Sequence, residues 1–121
     1  MEKNIPTLKF SKMVFRDGKN VTVRLGDKWA GFLGRVRIED TNNSEIFKEV
    51  EIVETRTLRF FNLCDNDLEY EHDPMCQDMR GLYKVLGDYY PEIDPTTVLT
   101  LLYSYLDTLG RVHTPNHYHI N

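Results

Sequence analysis

The chain predicts a mixed α+β domain: a small β-barrel of about five to six strands with one long and one short helix. Three observations predict it. Runs with apolar residues at every second position dominate residues 7–61, the period of half-buried strands. Between residues 75 and 90 the spacing changes to three and four, that of an amphipathic helix. With so many short strands in 121 residues, a sheet closed on itself hides edges that would otherwise pair with other chains.

The first run, "TLKFSKMVF", mixes apolar and cationic residues at short period and is followed by Asp17-Gly18. An Asp-Gly pair between β-like runs predicts a hairpin, because both positions tolerate φ > 0. "NVTVRL" is the next strand. Its alternation sends Val21 and Val23 to a core and Thr22 and Arg24 to the opposite face. Lys19 stands at the strand's start, where the turn decides its direction. "GDKWAGFLG" holds three glycines and no period, a loop or wide turn. "RVRIED" sets Val36 and Ile38 against a basic face, and "TNNSE" is a turn cluster. In "FKEVEIVETRTLRFF", Val50 and Ile52 alternate with Glu49 and Glu51, giving one long strand. Val21, Val23, Val36, Ile38, Val50 and Ile52 are therefore expected to point inward.

The helix follows from Met75, Met79, Leu82, Val85, Leu86 and Tyr89, and Pro91 stops it near Tyr90. Ahead of it, "NDLEYEH" suits a short helix capped by Asn66 or Asp67. "DPTTVLTLLYSYLDTLG" carries opposed signals. Asp94-Pro95 is a good helix start, whereas the density of Thr, Val, Leu and Tyr suits a buried strand. From about residue 108 the chain reads as a tail, ending in the aperiodic "RVHTPNHYHIN". With no repeats and no linker, residues 1–121 are expected to form a single domain.

Composition narrows the function. Hydrophobic content of 40% and charged content of 28% are those of a globular protein. No apolar run approaches the roughly 20 residues of a membrane span, and the N-terminus lacks the apolar region of a secretion signal, so a cytoplasmic protein is expected. Cys64 and Cys76 are too few for a disulfide framework and are expected to be unbridged, metal-free thiols. Net charge is −4, unevenly placed: residues 1–60 carry 12 Lys/Arg against 9 Asp/Glu, and residues 61–94 carry 2 against 9. Such a field steers a small anion to the first half and disfavours long double-stranded DNA, which needs a broad basic surface. The spacing of Cys64, His72 and Cys76 is not a usual zinc arrangement. His113, His117 and His119 lie in the tail, where ordering entropy opposes a specific site. No metal and no cofactor are expected.

At "GKNVTVRLGDKW" the sequence resembles the ASCH-domain family, a branch of the PUA-like superfamily of small β-barrels. That family carries a G-x-K-x-x-x-x-R motif, usually with a Thr between the Lys and Arg. Lys19, Thr22 and Arg24 match in type and spacing; Asp17 stands where the first Gly is expected, and Gly18 follows it. The segment "DLEYEH", then a helix and "YP", is similar to the family's acidic segment ahead of its long helix. Glu71 holds the acidic position, with Glu69 as a rival two residues away. The resemblance spans roughly residues 7–106 and implies that Thr97 to Leu106 is a strand helping to close a PUA-like barrel.

Some small bacterial members remove the acetyl group from N-acetylated cytidine with a Lys, a Thr and a Glu, and others bind RNA without known catalysis. On this resemblance Lys19, Thr22 and Glu71 are the catalytic candidates and Arg24 a ligand contact. Lys19 beside Arg24 in a dry cleft would act as a base; if it stays charged, it contacts an oxyanion or phosphate. Thr22 offers a nucleophile or positions water, and Glu71 moves the proton. Trp29 either stacks on a base or fills a core. Against these stands the plainer reading of a solvated strand face beside a turn. Two functions follow: an amidohydrolase on acylated nucleosides, or a non-catalytic module holding a nucleotide or short RNA. A protein-interaction barrel, suggested by the acidic 61–94 segment, is a third.

Overall fold

The computed structural model describes residues 5–106 together with the backbone of Val112–His113. Its strands are β1 (Thr7–Phe10), β2 (Gly18–Leu25), β3 (Gly34–Asp40), β4 (Phe47–Arg59), β5 (Val98–Leu106) and β6 (Val112–His113). One helix, α1 (Met79–Tyr89), lies between β4 and β5, preceded by short 3-10 turns at Phe60–Asn62, Asp65–Leu68 and Pro74–Cys76. The sheet runs β1-β3-β4-β5-β2, and β6 pairs with β5. It curls into a half-barrel: a mixed α+β fold of five main strands and one helix. The expected tail from about residue 108 lies outside the described residues, apart from the backbone of β6.

The strand alternation builds two cores rather than one. Leu8, Phe10, Val36, Ile38, Val50, Ile52, Leu102 and Leu106 cluster on the inner face of the curl. Val21, Val23, Leu99, Leu101 and Tyr103 face outward, where Leu82 and Leu86 of α1 cover them together with Leu63 and Leu68. All six residues expected to point inward are buried, but Val21 and Val23 do so under the helix, not inside the curl. β4 serves both cores because its register shifts between Ile52 and Glu54. That bulge lets Val50 and Ile52 face inward while Val53 and Leu58 pack on the outer cluster.

The hairpin expected at Asp17-Gly18 does not form. β1 instead runs parallel to β3, pairing Leu8 with Ile38 and Phe10 with Asp40. Gly18 does take a positive φ of 95°, but the turn closes on a side chain. The amide of Asn20, 2% exposed, accepts from Arg16 N–H at 3.2 Å and donates to the Arg16 carbonyl at 2.8 Å. The backbone partners of a returning strand are thus replaced locally, and β1 is released to complete the inner core.

The helical region is also more broken than its periodicity suggests. The short helix is a 3-10 turn, Asp65–Leu68, capped at Cys64, whose N–H donates to the Asp67 carboxylate at 2.9 Å. The long helix starts at Met79, with Asp78 as N-cap accepting from Gly81 N–H at 2.7 Å. Met75 falls in the preceding 3-10 turn. That turn presses on α1 so closely that a Cβ on Gly81 would sit 1.9 Å from the Met75 carbonyl oxygen. Only glycine allows the approach.

Residues 97–106 resolve in favour of the strand. Asp94 does begin a turn, its carboxylate accepting from Thr96 N–H at 2.7 Å. From Val98 onward, however, the chain pairs with β2 on one edge and β4 on the other. Two ladders of main-chain bonds outweigh one cap.

Candidate functional site

Both faces of β2 are covered, and that decides where its polar residues go. Asn20 and Thr22 are 2% and 8% exposed on the inner side. The segment after the 3-10 turn Asp65–Leu68 then joins the strand's outer edge: Val21 N–H donates to the Tyr70 carbonyl at 2.8 Å, and His72 N–H donates to the Val21 carbonyl at 2.9 Å. This parallel bridge sets Glu71 beside β2. Arg16 Nη2 and Gln77 Nε2 each donate to the Glu71 carbonyl at 3.1 Å, fixing the segment from both sides.

Thr22, Arg24 and Glu71 together line a cleft of about 290 Å³, bounded by the end of β1, the edge of β2, residues 71–73 and the C-terminal half of α1. That volume is at the lower end of small-molecule pockets, roughly 300–1,000 Å³. Glu71 is 3% exposed and is the carboxylate of the pair that reaches the cleft; Glu69 is exposed elsewhere. Its Oε1 accepts from Asp73 N–H at 2.7 Å. Thr22 Oγ1 makes no hydrogen bond among the described residues.

Arg24 carries the electrostatics. Its guanidinium lies 4.4 Å from the centroid of the Phe10 ring, and its Nε is buried with no hydrogen-bond partner among the described residues. Among the described residues it makes no ion pair. Burial pushes its pKa below the ordinary arginine range, while the nearby Glu71 carboxylate and Tyr90 push it back. A desolvated cation with unused donors is costly unless something else meets it.

Lys19 does not join this group. β2 begins at Gly18, so Lys19 has the parity of Val21 and Val23, and pairs with Tyr105. Its ammonium lies 5.1 Å from the Tyr70 ring and 5.3 Å from the Tyr103 ring. Of the four residues expected around one pocket, Thr22, Arg24 and Glu71 line the same cleft and Lys19 does not. Trp29 also lies elsewhere, half-buried against the inner core and edge-on to Phe32 at 5.2 Å. Its core reading is the one the geometry supports.

Four neighbours of the cleft had no place among the site residues expected from the sequence. Phe10 is the platform beneath Arg24. His72 stacks on Phe15 at 5.2 Å and meets Phe10 edge-on at 4.9 Å, closing the inner core from the cleft. Its Nδ1 is 3.2 Å from Glu71 Oε1, within ion-pair range but out of hydrogen-bonding alignment, so this nitrogen has no hydrogen-bond partner among the described residues. Tyr89 and Tyr90 stand exposed at the rim. Alternation with Leu8 marks Phe10 as buried; nothing local marks it as a neighbour of Arg24, fourteen residues on.

Cys64 is an exposed and Cys76 a buried free thiol. Among the described residues no group of three or more His, Cys, Asp or Glu could hold a metal ion, and no helix is long and apolar enough to cross a membrane. Fold and site together define a curled half-barrel with a lateral, arginine-bearing cleft. No family model, curated protein or solved structure matches the chain.

Proposed function

We propose that this chain is a cytoplasmic, ASCH-like protein that binds a nucleobase-bearing ligand, a nucleoside or the end of a short RNA, in the cleft beside β2. The observation that carries this is Arg24: a half-buried guanidinium whose buried Nε has no partner among the described residues, in a pocket of small-molecule size. A ligand carbonyl or phosphate would supply the missing acceptor. Phe10 supports the guanidinium from below, and Tyr89 and Tyr90 at the rim offer faces on which a base stacks.

A second reading, hydrolysis of the acetyl amide of N-acetylated cytidine, is favoured by Thr22 and Glu71 lining the same cleft. Water held by the Thr22 hydroxyl would attack the acetyl carbonyl and give its proton to Glu71. Arg24 would hold the oxyanion. Breaking the C–N bond and returning the proton to the exocyclic nitrogen yields acetate and cytidine. In this reading Lys19, on the other face, takes no proton.

Calorimetric titration with cytidine and N-acetylcytidine, followed by chromatography for released acetate, tests both. Binding that Arg24→Met weakens is the expected result, and absence of binding would sink the proposal. Acetate release that survives Lys19→Ala but not Glu71→Gln assigns hydrolysis. Binding without release leaves a non-catalytic module.

A further inference from the structure

The cleft lies across a strand edge, not on a strand face. It is lined by Thr22 and Arg24 from the inner face of β2 and by Val23 and Leu25 from the outer one. Residues of both parities line one cavity only where that cavity runs along the edge between them. On the far wall, consecutive residues Lys9, Phe10, Ser11 and Lys12 do the same for the end of β1. The opening of the half-barrel is therefore a slot between the edges of β1 and β2.

Main-chain bonding shows what the β2 edge offers. Val21 directs its N–H away from β5 to the Tyr70 carbonyl and its C=O to the His72 N–H. In an antiparallel ladder this direction alternates every residue, so Val23 also turns its N–H and C=O away from β5. Gly26 confirms the phase, since its N–H points the other way, to the Val98 carbonyl at 2.7 Å. The bridging segment ends at residue 72, one bond short of Val23. No main-chain or side-chain partner meets Val23 among the described residues. Its N–H and C=O thus face the cleft as an adjacent donor and acceptor beside the Arg24 guanidinium.

We infer that Val23 reads the ligand through its main chain: its N–H and C=O pair with an adjacent acceptor and donor on the edge of a planar heterocycle, such as ring N3 and the exocyclic amine of cytosine. This rests on the reading of the cleft as a nucleobase site and specifies which edge of the base enters. The occupant is a single ring, not an added peptide strand. The exposed edge is short, closed off by the bridge at Val21 on one side and by the turn at Gly26 on the other, and the cavity is about 290 Å³.

The test uses the intact chain and changes only the ligand. Titration compares cytidine with 3-deazacytidine, in which the ring acceptor is a C–H, in wild type and in Arg24→Met. The deaza analogue is expected to bind about tenfold more weakly, the worth of one neutral hydrogen bond left unmade. That ratio should persist in Arg24→Met while both affinities fall. Equal binding of the two nucleosides, with dependence on Arg24 retained, overturns the inference and leaves the nucleobase site standing. Failure of both to bind overturns the site and the inference together. Binding of a blocked Val-Thr-Val-Thr peptide in place of cytidine assigns the edge to strand addition and overturns it as well.

Discussion

Two arginines on the sheet, Arg56 and Arg24, meet opposite surroundings. Arg56, on the outer face of β4, is paired: its Nη1 donates to Asp67 at 2.7 Å and reaches the Tyr103 hydroxyl at 3.4 Å. Those bonds push its pKa above the ordinary arginine range. Arg24, at the cleft, has an aromatic ring beneath it and no hydrogen bond among the described residues, and burial pushes its pKa down. A partnered arginine is explained by the fold. An unpartnered one, held in place by a strand covered on both faces, is what the proposed ligand would meet. The outer arginine is satisfied by its neighbours, whereas the cleft leaves the Arg24 Nε without an acceptor among the described residues.

The contrast predicts differences that can be measured, the largest being in thiol reactivity. Cys64 belongs to the outer region and is exposed; Cys76 lines the cleft and is buried. Burial, with Glu71 and Asp73 nearby, raises the Cys76 pKa to about 12. Alkylation of the native protein at pH 8 should therefore modify Cys64 roughly a thousandfold faster than Cys76, since the thiolate is the nucleophile. Mass spectrometry with and without denaturant reads this directly. Equal rates would mean that the cleft wall opens.

Substitution of the two arginines should separate stability from binding. Arg24→Met keeps the apolar stem over Phe10 and removes a desolvated charge. Thermal unfolding should stay unchanged or rise, while cytidine affinity falls about ten- to a hundredfold, the worth of hydrogen bonds to a charged group. Arg56→Met should do the reverse, leaving affinity alone and costing about 1 kcal/mol, a value discounted for the partial exposure of the pair. A loss of stability in Arg24→Met would show that the cation is structural after all.

The Arg56 effect should also depend on pH. The Arg56 hydrogen bond holds the Asp67 carboxyl below the usual carboxylate range. A depressed folded-state value stabilises above the unfolded value of about 3.9 and is lost as pH falls through the folded one. The gap in melting temperature between wild type and Arg56→Met should thus be full near neutrality and close in acid. A gap constant with pH would assign the effect to packing. The smallest change is expected from Lys19→Met, which loses two cation–π contacts worth about 0.5–1 kcal/mol and leaves nucleoside binding intact. Weaker binding in that variant would return Lys19 to the site.

Much of this arrangement was legible in the chain itself. Alternation marks β2, β3 and β4, and it sets Thr22 and Arg24 opposite Val21 and Val23; Pro91 marks the end of α1. These are local properties, because side-chain parity and a missing N–H depend on a few neighbouring residues. The same parity, once β2 starts at Gly18, takes Lys19 out of the cleft. What covers each face was decided only by long-range contacts. β1 left the hairpin that Asp17-Gly18 favours and paired with β3. Val98–Leu106 became a strand despite its helix cap, because ladders on both edges outweigh one turn. Glu71 reached β2 through a single bridge to a residue fifty positions earlier, and Phe10 came to lie under Arg24 by the folding of β1 over the opening. Periodicity states which way a residue points; only the packed chain states what it finds there.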